Sequence, residues 1–174
     1  KINTLDIYNF KTDINFLIDQ LFHTDFNRCY QSMKELQKYD SDKILHYLNL
    51  NWDRASRDYG AIYFFINTYK LQLEKGFYDK DLSRKVDYLL SDNWPDYMKF
   101  KSTVIQLLPS LNKKKYYNNL HIFSNQRLTP YWKNRYAALI ALQNDQNPGN
   151  KKFTKLFFND SHRFVRLKAK QIFL

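Results

Sequence analysis

Residues 160–169 read Asp-Ser-His-Arg-Phe-Val-Arg-Leu-Lys-Ala. Asp160 and Ser161 are residue types that cap helix N-termini, because a short side-chain oxygen accepts from the free N–H groups of the first turn. From there Phe164, Val165, Ala169, Ile172 and Phe173 recur at helical spacing, so the segment opens an amphipathic helix. Its skeleton is a capping-type residue, a basic residue six later and a small residue three after that. Three more ungapped copies occur: Asn51, Arg57, Gly60; Asn93, Lys99, Ser102; and Thr129, Arg135, Ala138. An aromatic lies in the first turn of each copy: Trp52, Trp94, Trp132 and Phe164. The copies start 42, 36 and 31 residues apart, which is the period of helical-pair repeats.

Each position has a physical role. The polar residue caps the first helix of a pair, and the small residue lets a neighbouring helix approach. The aromatic fills the gap between successive pairs. The basic residue reaches the carboxylate or cap of an adjacent repeat. The same helical period runs along the rest of the chain as well as through the copies. Thr12-Asp13, Thr24-Asp25, Asp40-Ser41, Asn51 and Asp81 read as helix starts, and Gly76 as a stop. Asn93-Trp94-Pro95 and Thr129-Pro130 read as starts, with Pro109 and Pro148-Gly149 as breaks. No stretch alternates with period two, so the expectation is nine to ten helices and no sheet.

The pattern resembles a HEAT-like helical repeat. Asp160 to Ala169 matches that family's Asp…Val-Arg…Ala first helix, and Thr129 to Leu142 matches with Trp132 and Arg135 in place. The Asn51 and Asn93 copies depart from it, with Lys99 for Arg and Gly60 or Ser102 for Ala. The resemblance covers about two thirds of the chain. It implies an all-α α-solenoid of stacked antiparallel helix pairs, a HEAT-like superhelix of four to five units, and a scaffold role. Residues 1–174 are expected to form a single repeat domain, and a final copy ending without its partner helix suggests a fragment of a longer chain.

Composition narrows the classes. With 174 residues, 3 Gly and 4 Pro, a Gly-rich phosphate loop or turn-rich sandwich is unlike this chain. One Cys excludes an intramolecular disulfide framework and a Cys-based zinc cluster. The net charge is +11, unevenly spread: residues 1–90 carry 13 basic and 13 acidic side chains, and residues 91–174 carry 15 and 4. A neutral part followed by a basic part suggests a surface for an acidic protein or for nucleic acid. Its candidates are Lys99, Lys101, Lys113, Lys114, Lys115, Arg127, Lys133, Lys151, Lys152, Lys155, Arg163, Lys168 and Lys170. Arg135 and Arg166 stand apart, since their repeat position implies an internal role. Lys113 to Tyr117 mixes cations with two tyrosines, which suits phosphate contact and base stacking or, alternatively, a solvated helix with buried rings.

Signals for chemistry are sparse. His23, His46, His121 and His162 are scattered and form no metal-ligand spacing. Cys29 falls on an apolar helix face, as a core thiol does. Ser110 and Lys113 form a Ser-x-x-Lys string without the companion motifs it requires. The densest cluster is Trp52, Asp53, Arg54, Arg57 and Asp58. On one continuous helix it would make two i,i+4 ion pairs, Asp53 with Arg57 and Arg54 with Asp58. It also resembles the Trp-Asp groove of the HEAT-like DNA alkylation repair glycosylases. That likeness implies a candidate groove of Trp52, Asp53, Arg54 and Asp58, with Trp94 and Trp132 as further groove aromatics. The resulting expectation is a non-enzymatic, cytoplasmic protein-interaction scaffold with no cofactor, no metal, no membrane attachment and an acidic protein partner. The alternatives are a sequence-nonspecific nucleic-acid binder and, behind it, a glycosylase-like enzyme.

Overall fold

The computed structural model describes residues 13–173 apart from 92, 112 and 146–148; the side chains of 113–115, 117, 118, 121 and 151 also lie outside the description. Among the described residues every regular element is helical, and the chain forms two compact units, Lys1–Asp79 and Lys80–Leu174.

In the first unit five helices follow one another: α1 (Ile14–Gln20), α2 (Phe26–Leu36), α3 (Ser41–Leu50), α4 (Trp52–Ala55) and α5 (Tyr59–Glu74). Four of them begin on an aspartate whose carboxylate accepts from a first-turn N–H. Asp13 accepts from Asn15, Asp25 from Asn27, Asp40 from Lys43, and Asp58 from both Gly60 and Ala61, at 2.8–3.1 Å. Helices this short are marginal alone, so packing must hold them. α1 packs on α2 and α3, and α5 packs on α2, α3 and α4, burying Leu17, Leu21, Leu36, Ile44, Leu48, Ile62 and Phe65. α5 ends where Gly76 takes φ +89°. There the Phe77 N–H bonds the Gln72 carbonyl and the Gly76 N–H bonds that of Leu73, the paired closure of a left-handed helix cap.

The second unit holds α6 (Leu82–Leu90), α7 (Lys99–Leu107), α8 (Lys113–Ser124), α9 (Trp132–Asn144), α10 (Asn150–Thr154) and α11 (Arg163–Phe173), with 3-10 turns at Leu108–Ser110 and Lys155–Asn159. α9 packs on α7 on one side and on α11 on the other, while α8 and α10 pack on α9. The first helices of three successive repeats thus form one layer. The expected all-α, solenoid-like stacking of helix pairs is what the described residues show.

The repeat skeleton works through a buried latch. Arg135, on α9, sends Nε to Asp160 Oδ2 at 2.7 Å and a terminal nitrogen to Oδ1 at 2.9 Å. Both side chains are fully buried. The other terminal nitrogen of Arg135 donates to the carbonyls of Thr129 and Pro130. Asp160 Oδ1 also accepts from the His162 N–H at 2.8 Å, at the entrance of α11. Arg166 donates to the backbone carbonyls of Asp160 and Ser161. Arg135 of one repeat therefore clamps the Asp160 carboxylate that precedes the next first helix, while Arg166 holds the start of its own repeat and Arg57 and Lys99 are exposed. Ser102 makes a second tie from α7 to α9, donating to Asn134 Oδ1 at 3.0 Å, while Asn134 donates to the Asp96 carbonyl at 2.8 Å.

Three expected helix starts are corrected. Asn93 does not open a helix: Trp94 tucks edge-on against Phe100, centroids 5.0 Å apart, and α7 begins only at Lys99. Asn51 opens a single turn, because the chain breaks after Ala55 to let Asp58 cap α5. The Thr129 hydroxyl donates back to the Ile122 carbonyl, and Tyr131 takes the N-cap position of α9.

Candidate functional site

The α7–α9–α11 layer carries a groove of about 680 Å³. α7 contributes Ser102 and Gln106, and α9 contributes Trp132, Lys133 and Tyr136. α11 contributes Phe164, Leu167, Lys168 and Gln171. Apart from the adjacent pairs Trp132–Lys133 and Leu167–Lys168, these positions fall three, four or seven apart, so each helix turns one face to the groove. The indole of Trp132 lies flat on the His162 imidazole, with centroids 3.9 Å apart and planes within 5°. Phe164 leans on both rings, at 6.0 and 5.5 Å. Trp132 also meets the Tyr136 ring edge-on at 6.4 Å. The latch sets this geometry, since Asp160 fixes the backbone of His162 and so the height at which the imidazole meets Trp132.

The groove is apolar in the middle and cationic beside it. Phe164 and Leu167 are more than half exposed and lie side by side in the groove lining. The Lys133 ammonium lies 5.8 Å from the Trp132 centroid, and the Lys168 ammonium is 3.4 Å from Gln171 Oε1. Among the described residues no carboxylate lines the groove. Such a site accepts a flat, conjugated ligand with anionic substituents: rings stack on the aromatic wall and the ammonium groups meet the charge. A second, more polar cavity of about 580 Å³ is bounded by Ser124, Asn125, Gln126, Arg127 and Leu156. Gln126 spans toward α11 there, donating to the Asn159 carbonyl and accepting from the Ser161 N–H.

The other expected site does not assemble. Asp58 is committed to the start of α5. Arg54 turns to Asp19 at 2.8 Å and lies 3.8 Å over the Phe22 ring. The helix break after Ala55 removes the register that the pairs Asp53–Arg57 and Arg54–Asp58 require. Trp52 packs edge-on to Tyr69, and Trp94 is buried, so of the expected groove aromatics Trp132 alone lines the α7–α9–α11 groove.

The basic candidates also divide. Lys101 is no surface cation: it is buried and paired with Asp96 at 3.2 Å. Lys99, Arg127, Lys133, Lys152, Lys155, Arg163 and Lys170 are exposed, and Lys168 is half-buried in the groove wall. The side chains of Lys113, Lys114, Lys115 and Lys151 lie outside the described residues, as do those of Tyr117 and His121. Tyr116 is buried, its hydroxyl donating to the Ser83 carbonyl, so this ring is closed to base stacking. Among the described residues no three His, Cys, Asp or Glu side chains converge on a metal position, and no helix is long and apolar enough to cross a membrane. Cys29 is a buried thiol whose Sγ donates to the His23 carbonyl at 3.1 Å; burial pushes its pKa up.

Two comparisons with known proteins bear on this chain. The chain is 26% identical over 180 residues to the bilin biosynthesis protein CpeY of Synechococcus sp., covering 97% of this chain and 42% of that protein. It is 24% identical over 162 residues to the phycocyanin operon protein Y of Pseudanabaena tenuis, covering 92% of this chain and 36% of that protein. The chain thus spans about two fifths of the length of these relatives. No protein family matches the chain, and no solved structure matches it.

These findings correct the family and function read from the repeat. The relatives are named for bilin biosynthesis and for a phycocyanin operon, not as HEAT-like repeat proteins or DNA alkylation repair glycosylases. The general scaffold with an acidic partner, the nonspecific nucleic-acid binder and the glycosylase are all set aside. The expectation of a non-enzymatic chain falls with them, since the relative aligned along 97% of the chain is named for biosynthesis.

Proposed function

We propose that the chain takes part in bilin biosynthesis and holds a bilin in the α7–α9–α11 groove. The observation that carries this reading is the pairing in one groove of an aromatic wall with two ammonium groups, with no carboxylate among the described lining residues. A bilin is a linear, conjugated tetrapyrrole with two propionate groups. Its flat rings suit stacking on Trp132, Tyr136 and Phe164. The groove walls off one face of such a ligand and leaves the other open. A protein partner can reach that open face, in keeping with the phycocyanin operon after which the second relative is named.

Visible absorption of biliverdin titrated with the whole chain tests this. Binding in the groove removes the pigment from water and changes the position and strength of its long-wavelength band. The change saturates at one bilin per chain. A spectrum that stays as in buffer, at chain concentrations up to about 100 µM, would overturn the reading.

A further inference from the structure

We propose that Lys133 and Lys168 are the two carboxylate anchors of this groove, so that it selects a ligand bearing two anionic side arms. The inference rests on the bilin reading and adds to it which atoms of the ligand are gripped and by which residues. Both lysines line the groove, one from α9 and one from α11. Adjacent packed helices are about 8–10 Å apart, so two flexible lysine arms on them span carboxylates carried by neighbouring rings of one ligand.

Neither ammonium has a carboxylate partner among the described residues: Lys133 lies beside the Trp132 ring, and Lys168 makes one long contact with Gln171. This differs from Lys101, which is buried and met by Asp96. Two like charges beside an apolar surface are relieved when an anion arrives. That anion is held by charge-assisted hydrogen bonds next to a low-dielectric wall. The aromatic rings then fix the plane of the ligand, and the lysines fix its position along the groove.

The test compares biliverdin with biliverdin dimethyl ester, which keeps the rings and removes both charges. Dissociation constants are read from visible absorption for the whole chain and for Lys133→Gln, Lys168→Gln and the double variant. Lys155→Gln serves as control, because Lys155 sits over the Phe173 ring outside the groove. The free acid should bind the unmodified chain at least tenfold more tightly than the ester. Each single substitution should weaken the acid about three- to tenfold, and the double variant should no longer distinguish acid from ester. If acid and ester bind the unmodified chain equally, the anchors are wrong and the bilin reading stands. The anchors are also wrong if Lys155→Gln weakens binding as much as the groove variants do, or if the double variant still prefers the acid. If neither compound binds, the bilin reading fails and takes this proposal with it.

Discussion

Replacing Asp160 with Asn should damage the second unit far more than a single atom change suggests. The carboxylate takes two bonds from Arg135, at 2.7 and 2.9 Å, and a third from the His162 N–H. An amide keeps one acceptor oxygen and loses the charge. The Arg135 guanidinium, only 2% exposed, is then left as a buried cation without its counter-ion. Breaking one side of such a pair costs about 3–5 kcal/mol. Arg135 keeps its bonds to the Thr129 and Pro130 carbonyls, which puts the loss near about 3 kcal/mol. With a urea m-value of about 1.5–2 kcal/mol per molar, the unfolding midpoint should fall by about 1.5–2 M. Tryptophan fluorescence in a Trp52→Phe background isolates the effect, since Trp94 and Trp132 both lie in Lys80–Leu174. The variant with Arg135→Met and Asp160→Leu together should lose less than Asp160→Asn alone, because no charge is stranded. A midpoint shift under about 0.5 M for Asp160→Asn would refute the latch as a stabilising contact.

Three further outcomes follow from the same geometry. Burial alone would raise the Asp160 pKa, but the Arg135 hydrogen bonds, the His162 N–H and the Arg135 charge outweigh it and hold it below the ordinary carboxylate value. A depressed folded pKa means stability that is fully present above the unfolded value of about 3.9 and is lost as pH falls through the folded one. Acid titration of unfolding should show this loss in the native chain and not in Asp160→Asn. Gly76→Ala should cost about 1–2 kcal/mol in urea unfolding. A Cβ there meets nothing within 4 Å, so the cost comes from φ +89° alone. Cys29 should resist Ellman's reagent in the folded chain at pH 8 and react promptly in urea, since it is 1% exposed and its pKa is raised by burial.

The helical class and the latch were legible because both rest on spacing. Capping types and 3.6-residue periodicity identify helices one at a time. The six-residue step from Thr129 to Arg135, matched against Asp160, gave the reach of one repeat to the next. Failures came where one residue has two uses. Asp58 looks like an ion-pair partner for Arg54, and the backbone takes it as a cap instead. Trp94-Pro95 looks like a helix start, yet packing against Phe100 delays α7 to Lys99.

The sequence marks some of the residues that line the groove, but not as one site. Trp132, Lys133 and Lys168 stood out by type, whereas Tyr136, Leu167, Gln106 and Gln171 did not. They share a helix face with the others, and that spacing was visible. Which face of each helix stays uncovered depends on the packing of α7, α9 and α11, and no single helix encodes that. The ligand class was not legible at all, because stacking rings and lone lysines serve many anions.

The most direct measurement is the affinity of biliverdin, read by visible absorption, for Trp132→Ala and Phe164→Ala set beside Trp52→Ala and Tyr30→Ala. The first two rings wall the groove, and the other two lie in the first unit. A ring stacked on a bound chromophore contributes on the order of 1–3 kcal/mol, so each groove variant should lose about five- to a hundredfold in affinity. Trp52→Ala and Tyr30→Ala should bind as the unmodified chain does. Full affinity in both groove variants, or an equal loss in the first-unit variants, would contradict the assignment of bilin binding to α7–α9–α11.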